Sequence, residues 1–508
     1  MLTRLKFRQN FAALPLFFQV FAIACSLMLI LAVYGFLIES FREARVFLYT
    51  SLTGLLIFVL INLAVSNRNL KETGLMQLVS LLLLFFLLPL FLAFPTWIIL
   101  PGISFFDAYI DMVGAFTTTG LPVFENDLLS RLIHLWRALI AWFGGGLMWV
   151  AAFVILLPVN RGGFDVFSSK RQISKFKRQL TLNERSMTLA TISNKLIPIY
   201  IGLTIILWIL LTSFGTDGYT SLVRALSILS TSGISGPEKV SSDGAGFFGE
   251  IVMAIFLLFA LSHGTFYTLN KNEILKKVLF DSEIRLGLFL IIFITFMLFL
   301  KDMSSVNSLS NFDKFFITGL ESIWGNFFTT FSFMTTNGYV SSYWGAYSSF
   351  ADLSHINVIF LGLCLFGGGV ATTAGGVKLL RISILFSAFS NETGKLLYPS
   401  SIAGINSKSK SFEISVFMAW IFLMLFVVSL ALVTIILAMF GMLFEDALIL
   451  SVACLTTTGP MIDLLGLEAL SISQLPFFSK LALVVSMVLG RLEILVALSV
   501  ISSALRRA

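Results

Sequence analysis

The stretch Ala115–Phe124, "AFTTTGLPVF", places three threonines and a glycine between two strongly apolar segments. The same kind of phrase returns as "LSTSGISG" at Leu229–Gly236, "FMTTNGYVS" at Phe333–Ser341 and "CLTTTGPM" at Cys454–Met461. The glycines that share one position in the phrase are Gly120, Gly233, Gly338 and Gly459, and subtracting their numbers gives separations of 113, 105 and 121 residues. Such near-regular spacing indicates an internal repeat.

The composition around these phrases is that of a membrane protein. Of 508 residues, 57% are hydrophobic and 12% are charged, whereas soluble domains average about 25% charged residues. Apolar runs of about 20 residues recur along the chain, which is typical of transmembrane helices. Because an open sheet edge is not tolerated in lipid, the sequence predicts an all-α polytopic membrane protein.

Several function classes are disfavoured by the polar residues. The three cysteines and three histidines are scattered along the chain and form no metal-binding motif, so neither a metal enzyme nor an organic cofactor is expected. The formal charge of +7 fits basic cytoplasmic loops better than nucleic-acid binding.

Four irregular loops at membrane depth are tolerated only where protein or a water-filled cavity covers them. If they converge on one axis, their carbonyl oxygens can replace the hydration shell of a monovalent cation. Glycine suits such a loop because it adopts positive φ without steric penalty, and the preceding half-helix turns its partly negative end toward the cation. A single copy would be explained better by an ordinary helix end, but four matched copies favour a filter. The candidate filter residues are Thr118, Thr119, Gly120, Thr231, Ser232, Gly233, Thr336, Asn337, Gly338, Thr457, Thr458 and Gly459.

The apolar pattern predicts two N-terminal helices followed by four units, each a long helix, a half-length helix ending in the phrase, and a second long helix. The predicted divisions are 1–70 for the two N-terminal transmembrane helices, 71–160 for pore repeat 1, 161–195 for a basic cytoplasmic linker, 196–270 for pore repeat 2, 271–390 for pore repeat 3 and 391–508 for pore repeat 4. Basic residues concentrate in the N-terminus, the linkers and the C-terminus, which predicts that both termini are cytoplasmic. The four repeats are then parallel, in a pseudo-fourfold arrangement, with their phrases facing outward. The basic linker could contact anionic membrane lipid or a cytoplasmic partner.

Two further motifs carry a resemblance to a known family. "FGGGVATTAGGVKLLR" at Phe366–Arg381 resembles the glycine-rich break in the third repeat of the Trk/Ktr/HKT superfamily of potassium transporters, and "GRLEILVALSV" at Gly490–Val500 resembles the last helix of its TrkH-type members. The two extra N-terminal helices also fit the TrkH type, and the resemblance covers nearly the whole chain. It implies potassium uptake across the bacterial cytoplasmic (inner) membrane, a homodimer with one pore per subunit, and a cytoplasmic TrkA-like nucleotide-binding regulatory protein.

The glycine-rich stretch is interpreted as an intramembrane gate beneath the filter. Each glycine costs roughly 1 kcal/mol relative to alanine inside a helix, so five of them should break it. The alternative is a notch of small residues for helix packing. The candidate gate residues are Gly367, Gly368, Gly369, Thr372, Thr373, Gly375 and Gly376.

Charged residues near the gate receive separate interpretations. Arg491, nearly alone among charges in the apolar segments, is expected to act as an electrostatic barrier in the pore, or alternatively to pair with Glu493. Lys378 and Arg381 are expected to snorkel to the membrane interface, and the alternative for Lys378 is a position beside the gate loop.

Two other functions stay open at this point. A sodium- or proton-coupled secondary transporter could use the same filter as its binding site, and inverted repeats with charged midplane residues would favour it. A membrane enzyme would require His, Asp or Cys residues converging at one depth, which the sequence does not suggest.

"STSG" and "TTNG" lack the threonine that precedes glycine in the other two phrases, and this leaves exclusion of sodium unsettled. Plant relatives with serine at the first glycine position prefer sodium, so Gly120 favours potassium.

Overall fold

The computed structural model of the chain describes residues 16–65, 74–152, 182–236, 246–261, 282–304, 312–344, 354–370, 372–397, 410–465 and 472–492. Within these ranges every regular element is a helix. Six of the described helices are long and apolar enough to cross a membrane. The predicted all-helical polytopic membrane class is confirmed.

The helices follow the predicted order. Two N-terminal helices, α1 (Leu16–Leu37) and α2 (Phe41–Val65), precede α3 (Gly74–Ile99), α4 (Phe105–Phe116) and α5 (Arg131–Ala151) of the first repeat. The second repeat contains α6 (Leu182–Ser213), α7 (Gly218–Ser230) and α8 (Gly246–Leu257). The third contains α9 (Ser282–Ser304), α10 (Phe312–Met334), α11 (Ser354–Phe366) and α12 (Leu379–Leu397). The fourth contains α13 (Lys410–Met439), α14 (Phe444–Thr456), the short turn α15 (Met461–Leu464) and α16 (Phe477–Leu492).

Some predictions fall on parts of the chain outside the described residues. These parts are the basic N-terminus, residues 161–181 of the linker, Ala371 within the glycine-rich stretch, and Glu493 with the rest of the C-terminus. Residues 182–195, which were predicted as linker, are helical and form the start of α6. The division into repeats and the cytoplasmic placement of the termini remain predictions.

Two of the helices that lead to the phrases, α4 and α7, start at residues whose side chains cap the helix. The Ser104 side chain accepts a hydrogen bond from the Asp107 backbone N–H at the start of α4, and Asp217 does the same for Tyr219 at the start of α7. Such caps satisfy backbone donors that have no partner within the helix.

The helices α4, α7 and α14 have 12, 13 and 13 residues, as expected for half-length elements. The prediction was wrong for α10, which has 23 residues.

Buried charges fix these helices behind the phrases. Arg137 of α5 forms an ion pair with Asp111 of α4, with 2.9 Å between Nε and Oδ1, and also donates from Nη2 to the Leu121 carbonyl at 3.2 Å. Asp111 and Arg137 are 1% and 4% exposed. In the fourth repeat, Lys480 of α16 pairs with Asp107 of α4. The second of these pairs therefore joins the last repeat to the first.

A third buried charge joins repeats 2 and 3. The Glu250 carboxylate of α8 accepts hydrogen bonds from Trp324 Nε1 at 2.8 Å, the Ser341 hydroxyl at 2.7 Å and the Ser342 backbone N–H at 2.8 Å. Three donors from one neighbouring repeat offset the desolvation of a carboxylate that is only 2% exposed. Glu250 thus anchors the segment that follows the third phrase.

Arg137→Met should lower the free energy of unfolding by about 3–5 kcal/mol, because it leaves the Asp111 carboxylate buried without its cation. The double variant Arg137→Met with Asp111→Asn should recover much of that loss. Thermal unfolding of the purified protein in detergent measures both, with Arg42→Met at an exposed site as the control. Equal stability of the single variant and the wild type would show that the pair does not hold the first repeat together.

Candidate ion site and gate

The four helices α4, α7, α10 and α14 end in the same unusual backbone conformation. One threonine in each phrase has a left-handed φ: 59° at Thr118, 53° at Thr231, 58° at Thr336 and 57° at Thr457. This region is rare for a β-branched residue and costs roughly 1–2 kcal/mol. Four matched outliers of this kind indicate a shared functional constraint rather than a local accident.

Each left-handed threonine is held by an equivalent hydrogen bond. The next residue donates its backbone N–H to the carbonyl five residues earlier: Thr119 to Gly114 at 2.8 Å, Ser232 to Ser227 at 3.0 Å, Asn337 to Ser332 at 2.9 Å and Thr458 to Ala453 at 2.8 Å. This bond is one of the two that define the Schellman helix end. The four phrases are therefore equivalent in geometry as well as in sequence. We name residues 117–120, 230–233, 335–338 and 456–459 signature loops 1 to 4.

The signature loops form a closed, buried ring in chain order. A Cβ added to Gly120 would collide with the carbonyl oxygen of Ser232 in loop 2, and one added to Gly233 would collide with the carbonyl oxygen of Asn337 in loop 3. At Gly338, an added Cβ would lie 3.0 Å from Cβ of Pro460, which follows loop 4. At Gly459, it would lie 2.5 Å from the carbonyl oxygen of Thr119 in loop 1. The structure therefore brings all the candidate filter residues together, with glycine wherever one loop meets the next.

Side chains brace three of the loops in the same manner. The hydroxyls that flank the left-handed threonine lie 2.8 Å apart in loop 1 (Thr117 and Thr119), 3.0 Å in loop 2 (Ser230 and Ser232) and 3.2 Å in loop 4 (Thr456 and Thr458). Loop 3 differs because Asn337 replaces the second hydroxyl. Its Oδ1 instead accepts the Gly233 backbone N–H at 3.3 Å. The variant phrase "TTNG" therefore replaces a bond within a loop by a bond between loops.

The chemistry of the ring suits a cation that binds oxygen. Its side chains are neutral, and its polar surface consists of backbone carbonyls and hydroxyls. The Thr118 and Thr457 hydroxyls are buried and have no hydrogen-bond partner among the described residues. Neutral oxygen ligands of this kind can replace the water around a monovalent cation. No group of three His, Cys, Asp or Glu side chains suited to a metal ion occurs in the described part of the chain.

The fourth loop departs from the expected glycine geometry. The φ angles of Gly120, Gly233 and Gly338 are 65°, 63° and 81°, but Gly459 does not have a positive φ. Its backbone N–H donates to the Thr119 carbonyl at 2.6 Å. The expectation that every phrase glycine turns in the same way was therefore wrong for loop 4, because an inter-loop hydrogen bond fixes a different conformation there.

The glycine-rich stretch leaves the helix after Phe366 and returns to it at Leu379. Its two ends meet, since the backbone N–H groups of Val377 and Lys378 donate to the carbonyls of Leu365 and Phe366 at 3.0 and 3.1 Å. Gly367 and Gly376, with φ of 68° and 78°, pack so closely that an added Cβ on Gly367 would lie 2.8 Å from Cα of Gly376. The stretch is therefore a closed loop between two helix halves.

The glycine-rich loop contacts the inner ends of three repeats. The Gly375 backbone N–H donates to the Thr336 hydroxyl at 2.9 Å, and the Thr373 hydroxyl donates to the Leu229 carbonyl at 3.2 Å. The Gly369 backbone N–H donates to the Ala260 carbonyl at 3.0 Å. An alanine Cβ at Gly375 would collide with the carbonyl oxygen of Thr456. The loop thus lies directly against the helix ends that lead into the signature loops, with Thr372, Gly368 and the other candidate gate residues in the same segment.

Arg491 reaches this loop from α16. Its Nη1 donates to the Thr373 carbonyl at 2.5 Å, while Nε and Nη2 have no hydrogen-bond partner among the described residues. The side chain is 4% exposed. The expectation that Arg491 is nearly alone was wrong, because Asp111, Arg137 and Arg224 are also buried within the described helices.

The snorkelling prediction for Lys378 and Arg381 was also wrong. They are 7% and 3% exposed, and Lys378 Nζ donates to the Ala374 carbonyl of the glycine-rich loop. The Arg381 guanidinium lies over the Phe422 ring, 3.8 Å from its centroid. Local hydrogen bonds and a cation–π contact replace the interfacial water that snorkelling would provide.

Sequence reasoning missed three features of the site. The left-handed threonines carry no recognisable signal, since a β-branched residue is a poor predictor of positive φ. The partners of Asp107 and Asp111 depend on contacts between distant helices. Pro460 was visible directly after the fourth phrase, and the fixed φ of proline could have indicated that loop 4 differs from the others.

Comparison with known proteins gives consistent relatives. The chain is 25% identical over 410 residues to an uncharacterized cation transporter of Methanocaldococcus jannaschii, covering 79% of this chain and 77% of that protein. It is 25% identical over 411 residues to the Trk system potassium uptake protein TrkH of Escherichia coli K12, covering 78% of both chains. It is 26% identical over 414 residues to the Trk system potassium uptake protein TrkG of the same strain, covering 79% of both. No family model matches the chain.

A solved structure has the same fold. The crystal structure of the potassium transporter TrkH from Vibrio parahaemolyticus superimposes with a TM-score of 0.77, at 23% sequence identity, covering 96% of this chain and 98% of that chain. The resemblance to TrkH-type proteins inferred from sequence motifs is confirmed by these relatives. The prediction that the chain is not an enzyme agrees with their names, which describe transport.

Gly233→Ala should destabilise the ring by at least about 1–2 kcal/mol, because it adds a Cβ at positive φ and against the Asn337 carbonyl. Gly202→Ala is the matched control, since that glycine lies inside α6 with no atom within 4 Å of an added Cβ. The control should be neutral or slightly stabilising, as alanine favours helix. Thermal unfolding midpoints of the two purified variants measure the difference, and equal midpoints would argue against tight contact between loops 2 and 3.

Proposed function

We propose that this TrkH-type member of the Trk/Ktr/HKT superfamily takes up potassium across the bacterial cytoplasmic membrane, with the four signature loops as its selectivity filter. The single observation that carries the proposal is the buried ring of four loops, each entered through a left-handed threonine. The names of the relatives, which describe potassium uptake, support the same ion. Potassium is here the transported substrate.

The filter would act by replacing water around the ion. Backbone carbonyls of the ring and the hydroxyls of Thr118 and Thr457 supply oxygen ligands without a fixed negative charge. Neutral ligands bind a monovalent cation strongly enough to dehydrate it and weakly enough to release it. The helices α4, α7, α10 and α14 add their partly negative C-terminal ends at the same place. Both effects favour a cation over an anion.

The glycine-rich loop would act as the gate. It contacts Leu229, Thr336 and Thr456 at the inner ends of the signature loops, so an ion leaving the filter toward the cytoplasm meets it first. Few side chains anchor it, and a small change in free energy could therefore shift it between closed and open arrangements. Arg491 holds the Thr373 carbonyl and places a positive charge beside the path, which disfavours long residence of a cation there.

Two partners complete the proposal. A second copy of the chain would give a homodimer with one pore per subunit, and a TrkA-like nucleotide-binding protein on the cytoplasmic side would control the gate. Both rest on the resemblance to the Trk family. The basic linkers, whose central parts lie outside the described residues, are the natural contact for such a cytoplasmic protein or for anionic lipid.

Uptake of potassium and sodium in a bacterial strain lacking its own potassium transporters tests the transport proposal. Wild-type protein should restore growth and uptake at low potassium, and Gly120→Ser should reduce the preference for potassium over sodium by about tenfold, because its Cβ displaces the Ser232 carbonyl. Gly338→Ala, at the least crowded ring glycine, is the second variant if Gly120→Ser does not fold. An unchanged ion preference in a folded ring variant, or flux that requires a proton or sodium gradient, would favour the secondary transporter instead.

Deleting Gly367–Gly369 tests the gate. The deletion removes the hydrogen bond from Gly369 to Ala260 and shortens the loop, so basal potassium flux should rise several-fold and depend less on the nucleotide-binding partner. Flux is measured in proteoliposomes with and without that partner. Deletion of three residues from the solvent-facing turn 125–127 serves as the control for loop shortening. A folded deletion variant that conducts no more than wild type would identify the stretch as a helix-packing notch.

A further inference from the structure

Loop 4 is turned relative to the other three signature loops. The Gly120 and Gly338 backbone N–H groups donate to carbonyls of their own helices, Gly114 at 3.1 Å and Ser332 at 3.3 Å. The Gly459 N–H instead crosses to loop 1 and donates to the Thr119 carbonyl at 2.6 Å. The Gly233 N–H also crosses to the next loop, but it donates to the Asn337 side chain. Loop 4 is therefore the loop whose glycine N–H donates to a backbone carbonyl of a neighbouring loop.

The carbonyls of loop 4 are engaged elsewhere. The Gly459 carbonyl accepts the backbone N–H of Ile462 at 3.1 Å, and the Thr458 carbonyl accepts that of Met461 at 3.3 Å. Both bonds belong to the short turn α15, which begins directly after Pro460. These two carbonyl oxygens are therefore occupied by hydrogen bonds within the helical turn that follows loop 4.

Pro460 accounts for this turn. Its φ and ψ of −61° and −10° are helical, and the pyrrolidine ring fixes φ in that region. The equivalent positions in loops 1 to 3 are Leu121, Ile234 and Tyr339, none of which has a fixed φ. Proline is well suited to begin a helical turn, because it has no N–H that would need a partner. One residue after the fourth glycine therefore favours the turned conformation.

The pyrrolidine ring of Pro460 also contacts two other loops. An added Cβ on Gly233 would overlap its Cγ, and one on Gly338 would lie 3.0 Å from its Cβ. Gly233 belongs to loop 2, on the far side of the ring from loop 4 in chain order. The proline therefore bridges loops 2 and 3.

We infer that Pro460 is a specificity-determining residue, which holds loop 4 in a non-coordinating conformation until a potassium ion draws the Gly459 carbonyl into the ring. This inference rests on the proposed function and deepens it. Gly459 can adopt the positive φ of Gly120, Gly233 and Gly338 without steric penalty, so the turned loop has an accessible alternative. In that alternative the N–H releases the Thr119 carbonyl, and both oxygens face the ion.

The ion must supply the free energy for this change. A ligand shifts an equilibrium only through its different affinity for the two states, and its apparent affinity falls with the fraction of protein in the competent state. A cation that contacts all four loops benefits from the change, whereas one held by three loops does not. The turned loop 4 therefore raises the potassium concentration required for half-maximal uptake and favours ions that engage the whole ring.

Pro460→Ile, which places the loop 2 residue in loop 4, tests the inference. The half-saturating external potassium concentration, measured together with the maximal rate per molecule, should fall at least about threefold, because a larger fraction of the protein is already competent. Pro101→Ala, at an exposed proline between α3 and α4, is the matched control and should leave both values unchanged. Uptake into proteoliposomes over a range of potassium concentrations measures them.

A folded Pro460→Ile variant with an unchanged or raised half-saturating potassium concentration would overturn the inference. If the wild type takes up potassium in the same assay, the proposed function is unaffected by that result. Absence of potassium uptake by the wild type itself would instead overturn the proposed function. Pro460→Ala provides a second test without transport: potassium should raise its thermal unfolding midpoint at lower concentration than it does for the wild type. Identical potassium dependence in the two purified proteins would contradict the inference.

Discussion

The structure depends on satisfying backbone polar groups where no water or regular helix is available. Four segments leave the helical state inside an apolar protein, and each unpaired N–H or C=O there would cost free energy. The signature loops meet this constraint together. A Schellman bond closes each helix end, and neighbouring loops cover one another at glycines where no side chain would fit. Within the loops, the hydroxyls of Thr118 and Thr457 are buried without a hydrogen-bond partner among the described residues.

Much of this arrangement could be predicted from local sequence. The Ser/Thr-Gly phrases and the five glycines of Gly367–Gly376 disfavour continuous helix by known backbone preferences, and helices do end at both places. Contacts between repeats could not be predicted in the same way. Burial of Lys378 and Arg381, the pairing of Arg137 with Asp111, and the turn after Pro460 depend on which distant segments meet. No periodic pattern within one helix encodes that information.

The four repeats share a backbone but not their supporting side chains. Seven residues before the left-handed threonine, the chain has Asp111, Arg224, Thr329 and Leu450 in repeats 1 to 4. A buried anion, a buried cation, a hydroxyl and an aliphatic group thus occupy equivalent positions. Each needs a different neighbour, and the repeats cannot exchange places. Among these features, the four repeats are therefore alike in the backbone of the signature loops and differ in the side chains behind them.

The order of contacts around the ring gives it a rotational sense. Each glycine rests on the segment that follows in sequence, from loop 1 to loop 2, 2 to 3, 3 to 4 and 4 back to 1. Because each loop overlaps the next one, no loop can move outward without displacing its neighbour. A displacement of one loop is then passed on to its neighbours, and the contact between Gly233 and Pro460 also joins loop 2 directly to the segment after loop 4.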